Sequence, residues 1–68
     1  MSTELKRIET SFTPISLTRF FGGAGRGACI QLTQQCDGTW RYIQLSAQDA
    51  ELIAAELLAW SKNPMKDP

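Results

Sequence analysis

Three short segments with strand-like alternation lead directly into an amphipathic helix, and this order constrains the fold more than any other feature of the chain. Apolar and polar side chains alternate in residues 15–21, 28–34 and 40–45, as they do in strands with one buried face. Ser46 then stands where a helix N-cap is preferred, and the helix is predicted to end near residues 63–64. The sequence therefore predicts an α+β fold, a three-stranded antiparallel β-meander with one C-terminal α-helix packed on one face.

The 68 residues are enough for one small domain with flanking segments. The N-terminal segment is the least defined part of the sequence. Its apolar residues lie at spacings of three and four, at Leu5, Ile8 and Phe12. Instead of a flexible arm, this segment could therefore form a short helical turn or a strand that is added on docking. We expect three parts: a flexible N-terminal arm over residues 1–14, a βββα domain over 15–63 and a C-terminal tail over 64–68.

Two different connections join the predicted strands. Asp37 and Gly38 between alternating segments are typical of a type I′ hairpin turn, which makes the flanking strands antiparallel neighbours. The glycine-rich stretch over residues 22–27 invites comparison with a phosphate-binding loop. A strand rather than a helix follows it, however, so a flexible hairpin loop is predicted instead.

Strict alternation assigns the strand side chains to two faces of the sheet. Arg19 would point toward the buried face, which predicts a bulge or an early strand end near residues 20–21. The buried face is expected to hold Ile15, Leu17, Ile30, Leu32, Ile43 and Leu45. The opposite face is expected to be an uncovered aromatic and amide surface with Thr18, Phe20, Gln31, Thr33, Trp40, Tyr42 and Gln44.

The predicted helix carries apolar residues on two sides. One side is expected to pack on the sheet, and the other either reflects the helix propensity of Ala and Leu or forms a helix-to-helix dimer contact. The first stripe consists of Ala50, Ile53, Ala54, Leu57 and Ser61, and the second of Leu52, Ala55 and Ala59.

Charge is balanced overall, with seven basic and seven acidic residues. The distribution is uneven, because residues 15–45 carry three arginines against one aspartate, for +2, whereas residues 46–63 carry three acids against one lysine, for −2. The sheet half is therefore basic and the helix half acidic.

The residue types argue against catalysis and metal binding. The chain has no His and only two cysteines, Cys29 and Cys36, so we expect no catalytic, metal or cofactor site and no enzyme activity. No stretch has the character of a signal sequence or a membrane span, which predicts a cytoplasmic protein without membrane contact. A chain this small needs further support, and a homodimer is the expected source of it.

One part of the sequence resembles a known family. Residues Tyr42-Ile43-Gln44-Leu45-Ser46, running straight into Ala47-Gln48-Asp49-Ala50-Glu51-Leu52 and the later Leu57-Leu58 pair, resemble the C-terminal half of PC4-type transcriptional-coactivator domains. The resemblance covers residues 15–60. The chain differs from that family in having no lysine in the sheet region and, with three predicted strands, one strand fewer.

This resemblance implies a homodimer that holds single-stranded DNA on its sheets. It would place the binding residues at Phe20, Trp40, Tyr42, Arg19, Arg26 and Arg41. The compact chain also has the general look of small phage- or prophage-encoded proteins.

Physical chemistry allows three functions for the uncovered face. Aromatic rings stack on bases and arginines neutralise phosphates, which favours single-stranded or duplex DNA. Trp, Tyr and Arg equally anchor protein interfaces, so a protein–protein interaction module, such as a small phage-type regulator or inhibitor, is the alternative. A self-assembling structural subunit is the third. The candidate partner-binding residues are Arg19, Phe20, Arg26, Gln31, Trp40, Arg41, Tyr42 and Gln44.

The position of the arginines separates the first two functions. Arginines gathered on the aromatic face of a dimer would favour nucleic acid. Arginines that are scattered, or paired with Glu51 and Glu56, would favour a protein partner.

Overall fold

The computed structural model describes residues 2–65, which form one antiparallel sheet followed by one helix. The strands pair in chain order, each with the next, so the sheet is a meander. The elements are β1 (Thr3–Ile8), β2 (Ile15–Phe21), β3 (Ala28–Cys36), β4 (Thr39–Ser46) and α1 (Ala47–Ser61). The predicted α+β class with a C-terminal helix is confirmed, whereas the predicted number of three strands is wrong, because the sheet has four.

The additional strand, β1, lies within the predicted N-terminal arm. It pairs antiparallel with β2, from Thr3 opposite Arg19 to Ile8 opposite Ile15. All six of its residues are exposed, and it forms an edge of the sheet. Charged side chains are common on edge strands because they discourage pairing with other chains. They also remove the apolar alternation by which a strand is recognised in sequence, which is why a strand here was predicted only as an alternative to a flexible arm.

The other three strands lie where the sequence predicts them, and the turn between β3 and β4 explains their precise ends. Asp37 and Gly38 both have positive φ, at 51° and 78°, as a two-residue type I′ turn requires. The flanking strands therefore pair up to Cys36 and Thr39 on either side of the turn.

The pairing register divides the strand residues into two faces. Directly opposed residues lie on one face, so Leu17, Leu32 and Ile43 share a face, and Ser16, Thr33 and Tyr42 share the other. The apolar face consists of Thr3, Lys6, Ile8, Ile15, Leu17, Arg19, Phe21, Ala28, Ile30, Leu32, Gln34, Cys36, Thr39, Arg41, Ile43 and Leu45. The polar face consists of Glu4, Arg7, Ser16, Thr18, Phe20, Cys29, Gln31, Thr33, Gln35, Trp40, Tyr42, Gln44 and Ser46.

The bulge expected in β2 is not there, because β2 pairs with β3 without interruption from Ile15 to Phe21. Arg19 consequently lies on the apolar face, opposite Ile30, with its side chain exposed. The irregularity in the sheet is in β1 instead, between Glu4 and Lys6. A bulge at an edge strand disturbs fewer ladder hydrogen bonds than one in the middle of a sheet.

The helix begins with a capping box. The Asp49 backbone amide donates to Ser46 Oγ at 3.1 Å, and the Ser46 amide donates to Asp49 Oδ2 at 3.3 Å. Ser46, the predicted N-cap, is therefore confirmed, and the helix ends at Ser61 with Lys62 as C-cap, close to the predicted end. Residues 64 and 65 of the predicted tail follow, and the rest of that tail lies outside the described residues.

The predicted packing of this helix on the sheet is wrong for the single chain. No residue of α1 is buried and only Ala50 is half-buried, while Ile53 and Leu57 of the predicted packing stripe are 43% and 61% exposed. The reason is the connection. Ser46 is at once the last residue of β4 and the helix N-cap, so the helix leaves the sheet without a connecting loop.

The most buried point of the described chain is Cys29, on β3, which is 6% exposed and its one buried hydrophobic side chain. The loop between β2 and β3 closes over it, since a Cβ on Gly22 would lie 2.5 Å from Cys29 Sγ. Residues 2–65 contain no helix with the length and apolar character needed to cross a membrane.

Candidate binding surface on the polar face

The polar face is arranged in cross-strand rows. One row runs Arg7, Ser16, Thr33, Tyr42, and the next runs Glu4, Thr18, Gln31, Gln44. Trp40, opposite Gln35, lies beyond the first row, and Phe20, opposite Cys29, lies beyond the second. Six residues of β3 separate these two ends, a distance of about 20 Å.

Three aromatic residues are therefore spread along this one face. Trp40 and Tyr42 are 55% and 59% exposed, and they stand two residues apart on β4. Phe20 is half-buried at the opposite end. The register thus brings together five residues of the predicted binding set, namely Phe20, Gln31, Trp40, Tyr42 and Gln44.

The amide side chains in the middle of this face bond to one another. Gln44 Nε2 donates to Gln31 Oε1 at 2.9 Å, and Gln31 Nε2 donates to Thr33 Oγ1 at 3.3 Å. Because the Gln31 amide is engaged at both its oxygen and its nitrogen, it is poorly placed to read a base edge. The face is better suited to stacking than to sequence readout.

Arg26 lies at the Phe20 end of the polar face, in the glycine loop between β2 and β3. The loop is a compact turn, in which the Gly27 amide donates to the Gly23 carbonyl at 2.8 Å and both glycines have positive φ. Arg26 lines a cavity of about 680 Å³ together with Phe20, Gln44 and Ser46. The loop is therefore a hydrogen-bonded turn that places a cation on the cavity that Phe20 also lines.

Arg7 lies at the Trp40 end of the polar face and was not among the binding residues predicted from the sequence. It lines a smaller cavity of about 240 Å³ with Thr33 and Trp40, and its Nε is 3.2 Å from Glu9 Oε2. No sequence pattern indicated Arg7 as a site residue, because only the pairing of β1 with β2 brings residue 7 onto this face.

The remaining two arginines of the predicted set are not on this surface. Arg19 and Arg41 lie on the apolar face, opposite Ile30 and Gln34 respectively. The predicted set is therefore divided between the two faces of the sheet. The polar face holds two arginines, Arg7 and Arg26, together with the acidic Glu4, and Asp49 lines the same cavity as Arg26.

The described residues also include two cysteines, of which Cys29 lies on this face. Cys29 and Cys36 are both free thiols, and residues 2–65 contain no group of three His, Cys, Asp or Glu residues that would hold a metal ion. The predicted dimer residues Leu52, Ala55 and Ala59 are all exposed on the helix.

Comparisons with protein-family models, with curated proteins and with solved structures found no match to this chain.

Proposed function

We propose that this chain is a non-enzymatic binding protein whose polar face holds a single-stranded nucleic acid. The observation that carries the proposal is the set of three aromatic side chains on one sheet face, two of them exposed and Phe20 half-buried, with an arginine at each end. Base stacking on such rings is worth roughly 1 to 3 kcal/mol per base and tolerates any sequence. Four-stranded sheets that stack two or three bases are a common form of single-strand recognition.

The width of the sheet favours a single strand over a duplex. Four strands at about 4.8 Å spacing span at least about 14 Å between the outer backbones, whereas the major groove is about 12 Å wide and admits a two-stranded ribbon. The engagement of Gln31 with Gln44 and Thr33 also argues against base-edge reading. The fourth strand, moreover, removes one of the two differences from PC4-type domains.

The number of cations predicts weak, salt-dependent binding. One chain offers Arg7 and Arg26, and a dimer would offer four arginines. If each neutralised one phosphate, the logarithm of the affinity would fall with the logarithm of the salt concentration with a slope of about −3.

A protein partner on the same face is the second candidate, and the arrangement of the arginines favours it. Arg19 and Arg41 are scattered to the apolar face, and Arg7 is paired with Glu9. Exposed Trp and Tyr side chains anchor protein interfaces as readily as they stack on bases.

Tryptophan fluorescence tests the proposal directly. The chain has two tryptophans, so the Trp60→Phe variant leaves Trp40 as the single reporter. Titration with an oligonucleotide of about 20 mixed-sequence nucleotides is expected to quench Trp40, with saturation, and to raise the anisotropy of a labelled strand in parallel. The matching duplex is expected to bind more weakly.

The affinity measured at increasing salt concentrations should fall with the logarithmic slope of about −3. If neither quenching nor anisotropy changes at low salt, the nucleic-acid function is wrong and a protein partner becomes the leading candidate. Anisotropy changes without Trp40 quenching would place the nucleic acid elsewhere on the molecule.

A further inference from the structure

The single chain exposes far more surface than a folded protein of its size. Its accessible surface is 5911 Å², whereas a compact monomer of 7.6 kDa exposes about 4,300 Å². The excess is roughly 1,600 Å² per chain, and two such chains together would bury about 3,200 Å², within the range of obligate homodimers.

Much of this excess lies on the helix. Ten of the fifteen residues of α1 are Ala, Leu, Ile or Trp, and they are distributed around the helix rather than along one side. Leu52 and Leu57 lie on different sides of it and are 67% and 61% exposed. A helix that is apolar nearly all round is stable in water only when other elements surround it.

The apolar face of the sheet is the second unpartnered surface, and it is strongly charged at its margins. Lys6, Arg19 and Arg41 lie on this face, and no carboxylate of the four strands does. The helix has the opposite charge, with Asp49, Glu51 and Glu56 and no basic residue.

We propose that the helix of each chain lies across the apolar face of a second copy of this chain, in a reciprocal two-fold dimer. The aliphatic side chains of the face would cover one side of the partner's helix. Glu51 and Glu56, which lie between the two apolar stripes of the helix, would then face Arg19 and Arg41 of the sheet. An isologous arrangement of this kind makes both contacts twice.

The dimensions of the two surfaces agree. A helix of 15 residues is about 22 Å long, and the seven residues of β2 span about 20 Å. The exchange also fits the short connection, since the helix of the single chain does not cover its own sheet after Ser46. The exchange explains why Arg19 and Arg41 lie among aliphatic residues. In the dimer the polar faces of both chains would point outward. The exchange does not depend on what the polar face binds.

The first test is the molar mass of the full chain in solution, measured by sedimentation equilibrium over a hundredfold range of concentration. The mass is expected to be twice 7.6 kDa, and the midpoint of thermal unfolding is expected to rise with protein concentration. A folded monomer with the circular dichroism of an intact helix would overturn the proposal.

Charge reversal then tests which surfaces meet. One variant carries Glu51→Lys with Glu56→Lys, and the other carries Arg19→Glu with Arg41→Glu. Each alone places like charges at both contacts, and its dimer dissociation constant is expected to rise about ten- to a hundredfold. Mixed in equal amounts, the two variants restore opposite charges at both contacts and are expected to form a heterodimer with near wild-type affinity.

Glu4→Lys is the control, because it makes one Glu→Lys change of the same kind on the polar face. It is expected to leave the dimer mass and dissociation constant unchanged. Weakening by Glu4→Lys equal to that of the helix variant would overturn the proposed surfaces. A single chain that carries all four changes provides the last comparison. If this chain recovers wild-type affinity but the mixture of the two variants does not, the helix and the sheet pair within one chain. That result would equally overturn the exchange.

Discussion

The two faces of the sheet share the same four strands but differ in chemistry and in charge balance. The polar face carries hydroxyl, amide and aromatic side chains, and its arginines are offset by Glu4 and Glu9. The apolar face carries aliphatic side chains and three cations with no carboxylate. One face is suited to contact with water and a reversible partner. The other is suited to permanent burial against an acidic, apolar surface.

The two faces show how far an alternating sequence predicts burial. Period-two alternation predicts which residues share a face, but both faces of a single sheet start equal, and only a second layer decides which of them is buried. In this chain the helix does not supply that layer. The charge on each face then becomes the best guide to its partner.

A pair of adjacent substitutions on opposite faces tests this difference most directly. Leu32→Asp places a carboxylate in the middle of the apolar face and is expected to lower the free energy of unfolding by about 3 kcal/mol or more. Thr33→Asp makes a similar change one residue later on the polar face and is expected to cost less than about 1 kcal/mol. Urea unfolding measures both, and equal losses would show that the two faces do not differ.

Removal of the exposed rings tests the polar face for binding. Trp40→Ala and Tyr42→Ala are each expected to weaken single-strand binding by about 1 to 3 kcal/mol, while the unfolding free energy changes less. Phe12→Ala is the matched control, because Phe12 is an exposed aromatic outside the strands. If the two ring variants instead lose their thermal stability, the rings belong to a core and not to a binding surface.

A glycine substitution tests the closure of the loop over Cys29. Gly22→Ala brings a methyl group to 2.5 Å from Cys29 Sγ and is expected to cost about 1 to 3 kcal/mol of stability through overpacking. Gly25→Ala adds the same methyl group where no atom lies within 4 Å and should be neutral to slightly stabilising. Similar thermal midpoints for the two variants would contradict the described loop.

The smallest expected effect concerns the helix cap. Ser46→Ala removes the acceptor of the Asp49 amide and is expected to cost about 1 kcal/mol. Ser61→Ala removes a hydroxyl that bonds back to the Leu58 carbonyl in the last turn, and it should be nearly neutral. Thermal melts followed by circular dichroism compare the two, and a larger loss for Ser61→Ala would contradict the capping box.

Local chemistry made much of this fold predictable. The segments from Ile15 to Phe21 and around the Asp37-Gly38 turn carry alternation and turn residues that act over a few neighbours. The helix N-cap at Ser46 is equally local. The candidate site was predicted only in part, because Arg7 reaches the polar face through the pairing of an edge strand whose charged sequence gives no alternation signal.

Local sequence is enough to predict β2, β3, β4, the hairpin turn, the capped helix and the side chains that share a face, because these depend on backbone conformation and on periods of 2 and 3.6 residues. The three-dimensional structure is needed to show that β1 completes the sheet, that Arg19 and Arg41 lie apart from the aromatic rings, and that the helix does not cover its own sheet. These three features depend on register and on the path of the chain after Ser46, which bring together residues distant in sequence.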